Sequence, residues 1–481
     1  MMEAGMGRGD AAGSILGRAL AAAGLALFAG LIAAGPSAAE GAYLRAYMLL
    51  GPDGARIARA VTSDARCPTM LVDGQARSMS VRAPIETVAQ RPTASDPALS
   101  KPSIFAVTTC EGLVSANTLS VSVGGQPLPL PPPVIRRIVV IGDTGCRIKA
   151  SDGAFQACKD PKAYPFAQVA ASAAAWKPDL VIHVGDYLYR ETACPADKAG
   201  CADSPWGYGS DAWRADFLDP AAPLMAAAPL ALARGNHESC NRAGQGWWRF
   251  LDVHPLAPGH ACDLAANDDI DNFATPYAIP IGDGTQLILF DSSDTTGAAI
   301  APGDVRAARY RDAYGQIAAL AARAPHNILV NHQPILGFAA RIKDGQAELT
   351  PGNGGLQSVF APLNPGLIPA NIDLLLSGHI HLWEAVSFSS PHPAQIIAGF
   401  SGTMEDTVPL PAAAPPGASP APGAVVQSLS SWIKGFGFMT LERAGDDLWH
   451  VQVHDVTGAV VNTCEIIGSK TLCAVAQVAS P

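Results

Sequence analysis

Ile138-Val139-Val140-Ile141-Gly142-Asp143-Thr144-Gly145 and Leu180-Val181-Ile182-His183-Val184-Gly185-Asp186-Tyr187-Leu188-Tyr189 are the stretches whose reading decides the fold. Each is a short apolar run that ends in Gly-Asp. Runs of this kind predict strands in the interior of an α/β layered domain. Glycine beside the aspartate lets the backbone turn tightly and approach a site closely. The pattern recurs three times. Leu230 to Ala233 leads to Gly235-Asn236-His237-Glu238, Ile328 to Val330 leads to Asn331-His332, and Ile372 to Leu376 leads to Gly378-His379-Ile380-His381. A further strand, Leu287 to Phe290, and helices over Phe166 to Trp176 and about Val305 to Arg323 alternate with these.

A lone Gly-Asp is usually a turn, and a lone histidine at a strand end is usually structural. Five such motifs in order, each after an apolar strand, are not explained as turns. They gather oxygen and imidazole donors at strand C-terminal ends, where the loops of an α/β domain collect ligands. Hard oxygens and imidazoles suit iron, zinc or manganese. Two ions roughly 3.5–4 Å apart need a bridging carboxylate and separate terminal ligands.

The ordered set, from Ile138 to about His381, resembles the calcineurin-like metallophosphoesterase superfamily. Most members carry Asp-x-His in the first motif; this chain has Asp143-Thr144-Gly145, with Tyr189 at the compensating position of the second. That combination is similar to the purple acid phosphatases. The resemblance implies a four-layer α/β/β/α sandwich that hydrolyses phosphomonoesters with water activated between Fe(III) and a divalent iron, zinc or manganese ion. It also implies that Asp143, Asp186, Tyr189 and His381 bind the ferric ion. Asp186 would bridge to the second ion, shared with Asn236, His332 and His379. His237 matches the non-ligand histidine that contacts phosphate or assists the leaving group. Glu238 would orient His237 or a ligand. Read from the residues alone, Tyr187 and Tyr189 also fit an aromatic lining of the cleft.

Relatives often place further histidines after the fourth motif; here Gln333 to Arg341 holds none. Arg341 is therefore a candidate for phosphate contact, or a solvated surface residue. Asp203 to Trp213 and Gly246-Trp247-Trp248 carry aromatics that either pack beneath a loop or stack on an organic leaving group. His183 reads as a packed structural residue. The expected partner is a small phosphate ester. A phosphodiesterase or nucleotide-directed enzyme would use the same ligands, because substrate choice sits in the loops. An exported binding or adhesion protein that kept the fold without turnover is the reading from another class.

Outside the motifs, the 481-residue chain is 48% hydrophobic and 15% charged, enough apolar material for a buried core. A net charge of -10 argues against general nucleic-acid binding. Arg8 and Arg18 precede an apolar run, Ala19 to Ala34, that ends in small residues. Residues 1–39 are thus expected to be an export signal, placing the mature chain in the periplasm or outside the cell, with no membrane span. Residues 40–126 read as a small all-β domain and Pro127 to Pro133 as a stiff linker, with the catalytic domain from 135 to 481. The Pro/Ala/Gly-rich loop Pro409 to Ala424 reads as exposed. Ten cysteines, Cys67, Cys110, Cys146, Cys158, Cys194, Cys201, Cys240, Cys262, Cys464 and Cys473, predict disulfides in an exported chain. Pairing in order is the expectation, because it closes four short loops and one longer one.

Overall fold

The computed structural model describes residues 42–411, 414–445 and 447–474, so the expected export signal lies outside the described residues. The chain first lays down β1 (Leu44–Leu50), β2 (Arg56–Thr62), β3 (Ser80–Ala83), β4 (Thr108–Val114), β5 (Arg137–Ile141), β6 (Leu180–His183) and β7 (Leu230–Leu232). It then crosses to β8 (Tyr277–Gly282), β9 (Thr285–Leu289), β10 (His326–Val330), β11 (Ile372–Ser377), β12 (Trp383–Phe388), β13 (Ala394–Ala398) and β14 (Val426–Trp432). It returns with β15 (Gly437–Arg443), β16 (Leu448–Asp455), β17 (Val460–Ile467) and β18 (Lys470–Cys473). The first sheet has the order β18-β17-β16-β15-β5-β6-β7-β1-β2-β4-β3, and the second β8-β9-β10-β11-β13-β12-β14.

Strand alternation builds the layers. Val139, Ile141, Val181 and Leu230 point to one side of the first sheet, onto Phe166, Val169 and Ala173 of α1 (Phe166–Ala175). Ile138, Val140, Leu180 and Ile182 point to the other side. There they meet Leu287, Leu289, Ile328, Val330, Leu374 and Leu376 of the second sheet. The outer face of that sheet, with Ile288, Leu329 and Leu375, packs on α2 (Val305–Ala321) and α3 (Gly354–Phe360). Both faces of both sheets are thus covered, which is why the motif strands are continuously apolar. The result is the expected α/β/β/α sandwich with a β-rich N-terminal region.

That region is not a domain of its own over 40–126. Strand β1 lies between β7 and β2, parallel to β7 with Leu49 opposite Leu230. Tyr47, Leu49, Ile57 and Val61 enter the same core as α1. Their opposite-facing neighbours Met48, Ala58 and Ala60 form a satellite core with Met70, Cys110 and Val123. Residues from Ala42 onward form one compact unit. The proline-rich segment packs on the sheets on either side: Leu128 is buried and its N–H donates to Val121 O at 2.9 Å, and just beyond the segment the N–H of buried Ile135 donates to Ile281 O in β8 at 3.0 Å. Leu410, Ala421 and Ala424 of the loop expected to be exposed are buried against the outer face of the second sheet. The cysteines pair in order as Cys67–Cys110, Cys146–Cys158, Cys194–Cys201, Cys240–Cys262 and Cys464–Cys473.

Candidate metal centre

All five motifs meet where the parallel strands of the two sheets end. The first two loops run side by side: the Asp143 N–H donates to Gly185 O and the Thr144 N–H to Asp186 O, both at 3.0 Å. Asp143, Asp186 and His379 take left-handed backbone conformations, with φ of 53°, 60° and 72°. This conformation is uncommon away from glycine and tolerated best by Asp, Asn and His. Gly185, at φ 105°, adopts it freely for want of a side chain, and a Cβ there would press on the His332 ring.

The side chains converge as lone pairs. The Tyr189 oxygen is 2.9 Å from Asp143 Oδ1, 2.9 Å from Asp186 Oδ2 and 3.0 Å from His381 Nε2. One O–H cannot serve three acceptors. His381 Nδ1 lies 2.7 Å from Met404 O, which in the neutral ring puts the proton on Nδ1 and leaves Nε2 a lone pair. His332 repeats the arrangement. Its Nδ1 donates to Val184 O at 2.9 Å, while Nε2 faces Asp186 Oδ2 and Asn236 Oδ1, each at 3.1 Å. Donor atoms of Asp186, His332 and His379 all lie within 4.8 Å of one another. Acceptors aimed at acceptors, mostly buried and with only Asn236 and His379 half-buried, are what a cation between them satisfies. The residues present therefore fit a pair of metal ions, with Asp186 common to both groups.

The donors' own electrostatics show the same strain. Burial pushes the Asp143 carboxyl above its ordinary range. Burial also acts to raise Asp186, but His332 and His237 beside it bring it well below. For His332 and His381 burial is outweighed by the carboxylates, Asp186 in one case and Asp406 with Asp143 in the other, and both rise to about 9. Burial and the His332 charge press His379 down to about 3. Burial, with Asp143 and Asp186, holds the Tyr189 phenol well above its usual value. A bound cation favours phenolate, carboxylate and neutral imidazole, which opposes the shifts at Asp143, Tyr189, His332 and His381 and reinforces those at Asp186 and His379.

Supporting residues hold this geometry. Glu238 does not reach His237; its carboxylate accepts from the N–H groups of Asp186, Tyr187, Leu188 and Gly235 at 2.9–3.2 Å, fixing the second motif. Asp216, with no signature in the sequence, accepts from the N–H groups of Cys146 at 3.0 Å and Tyr189 at 2.8 Å, joining the first loop to the second. His183 is packed on Tyr187, with ring centroids 3.8 Å apart, and reaches Thr144 Oγ1 at 2.9 Å.

A cleft of about 170 Å³ opens on the donors and is lined by Asp186, Tyr189, Asn236, His237, His379 and His381. Arg147, Lys149, Asp152, Arg242 and Asp406 complete the lining. None of these five carries a motif that the sequence reading could use. Arg341 is elsewhere. It lies on a hairpin of Ala339–Lys343 and Gln346–Thr350, pairs with Glu348 at 3.0 Å, and its side chain is 68% exposed. Trp213 and Trp247 pack in the core with Phe250, so the inserted aromatics serve packing there.

Two sheets sandwiched between helices, with carboxylate, phenol, amide and imidazole donors at the strand ends, define a binuclear metallophosphoesterase fold. The model of calcineurin-like phosphoesterases matches residues 136–382, just over half of the sequence, and the chain belongs to that family of hydrolases. Among solved structures, purple acid phosphatase PPD1 from yellow lupin (Lupinus luteus) seeds is similar at a TM-score of 0.51. The match has 14% identity and covers 88% of this chain and 74% of that one. PhoD is similar at a TM-score of 0.49 and 11% identity, over 91% of this chain and 92% of its own. A dimetal phosphatase from Danio rerio matches at 0.35 and 12%, over 70% and 100%. At these identities the likeness concerns the fold. No curated protein sequence matches significantly.

Proposed function

We propose that this chain is an exported phosphoesterase that hydrolyses phosphomonoesters at a mixed-valence centre, one ion ferric and the other divalent iron, zinc or manganese. The observation that carries the proposal is the Tyr189 oxygen, set 2.9–3.0 Å from Asp143, Asp186 and His381 while Gly145 leaves the usual histidine position empty of a side chain. Asp143, Asp186, Tyr189 and His381 would hold the ferric ion. Asp186, Asn236, His332 and His379 would hold the second. When bound, such a pair supplies positive charge that activates water and neutralises the phosphoryl oxygens.

The chain's own residues prepare the rest. His237 donates its backbone N–H to Asp186 Oδ1 at 2.8 Å, and its ring lies 3.7 Å from that of Tyr189, centroid to centroid. It lines the cleft without belonging to either donor group, which suits contact with phosphate or with the leaving oxygen. Export is supported by the signal-like residues 1–39 and by five disulfides, which persist in oxidising compartments.

A visible absorption spectrum with metal analysis on the same sample tests this reading. The purified protein is expected to show a broad tyrosinate-to-iron band that disappears in Tyr189→Phe, and to cleave an aryl phosphomonoester faster than a bis-aryl diester. A colourless, fully metallated, iron-free protein would remove the ferric assignment. Preference for the diester would remove the monoester one.

A further inference from the structure

Three cationic side chains border the cleft, and their partners set them apart. Arg147 has both terminal nitrogens engaged, Nη1 donating to Asp406 and Nη2 to Asp152, each at 2.8 Å. Arg242 is held along one edge only. Its Nε donates to Glu191 Oε2 at 3.0 Å, and Nη2 meets Glu191 Oε1 and the His237 ring. Its Nη1 has no hydrogen-bond partner among the described residues, although the residue as a whole is buried. Lys149 is looser still, 3.5 Å from Glu191 and 3.9 Å from Asp152.

Glu191 is the common element. It stands two residues after Tyr189, its side chain is fully buried, and it also accepts from the Tyr208 hydroxyl at 3.0 Å. One buried carboxylate thus faces two cations beside the metal donors. The segment bearing Arg242 is pinned by the Cys240–Cys262 disulfide and by the Cys240 N–H on Asn272 Oδ1 at 2.7 Å. A guanidinium oriented on one edge and open on the other is preorganised for an oxyanion.

We infer that Arg242 contacts a phosphoryl oxygen of the substrate, with Lys149 adding charge, and that Glu191 is the positioning residue that aims it. This rests on the phosphoesterase reading and deepens it. A monoester dianion offers one more non-bridging oxygen and one more charge than a diester, whose second organic group occupies that place. Arg242 therefore selects monoesters.

The test uses the metal-loaded full chain and compares kcat/KM for an aryl phosphomonoester with that for a bis-aryl diester. Affinity for inorganic phosphate is measured by calorimetry on the same samples. In Arg242→Ala, monoester kcat/KM is expected to fall roughly 100-fold and diester kcat/KM less than about 10-fold, with phosphate binding at least about 10-fold weaker and metal content unchanged. Arg242→Lys keeps a charge opposite Glu191 should the alanine variant fail to fold, and its monoester-to-diester ratio should also drop. Glu191→Gln should raise KM for the monoester more than it lowers kcat. Equal losses on both esters, or unchanged phosphate affinity in Arg242→Lys, would overturn the inference while leaving the phosphoesterase intact. If the wild type cleaves neither ester, the phosphoesterase reading fails. Phosphate affinity in wild type and Arg242→Lys then decides the clamp separately.

Discussion

Glu384, on β12, is fully buried, and only one of its oxygens is used: Oε1 accepts from the Phe338 N–H at 2.9 Å, and Oε2 has no partner among the described residues. It thereby ties down the loop that follows His332. Burial pushes its pKa from 4.5 up to about 8. Between those values the folded protein keeps a proton that the unfolded chain releases. This contribution to stability is complete below pH 4.5 and is lost as pH rises through about 8. Unfolding free energies across that window should fall in wild type with a limiting slope of roughly 1.4 kcal/mol per pH unit, and Glu384→Gln should flatten the curve. An unchanged slope in the variant would place the pH dependence elsewhere. Residues of this kind are not legible in the sequence. Glu384, Asp216 and Arg242 act through partners dozens of residues away or through backbone atoms, and neither leaves a local pattern. The motif residues were visible because a strand end and its ligands are contiguous in the chain.

At the scale of elements, the loop after β5 has two restraints. The Cys146–Cys158 disulfide closes 12 residues, and Asp216 accepts from the Cys146 and Tyr189 N–H groups. Removing the disulfide in Cys146→Ser/Cys158→Ser should cost about 3 kcal/mol in denaturant unfolding by the loop-closure argument. Metal content should persist, because Asp216 and the pairing of the first two motif loops remain. Loss of metal at unchanged stability would make the disulfide a positioning device instead. Strand and helix positions near the site followed well from periodicity: the helix expected over Val305 to Arg323 runs Val305–Ala321, and that over Phe166 to Trp176 runs Phe166–Ala175. The hairpin bearing Arg341 is not legible in the sequence. Its strands, AARIK and QAELT, are half exposed and carry too little apolar alternation to stand out.

For the whole molecule, the decisive feature is β1, inserted between β7 and β2. A chain beginning at residue 127 would leave the β7 edge unpaired and strip Tyr47, Leu49, Ile57 and Val61 from the core around α1. Such a chain should lack a cooperative melting transition and the near-ultraviolet dichroism of packed aromatics. A folded, metal-binding product would instead make the N-terminal region separable. The amino-acid sequence by itself determined the layered α/β class, the five donor loops and their order, since apolar strands and the residues at their ends are local properties. Only the tertiary structure decided that the N-terminal strands extend the catalytic sheet, that Glu238 secures a loop instead of His237, and that Arg242 borders the cleft in place of Arg341. Those outcomes depend on pairings between distant segments, where many apolar strands could satisfy the same edge and only packing of the complete core selects one.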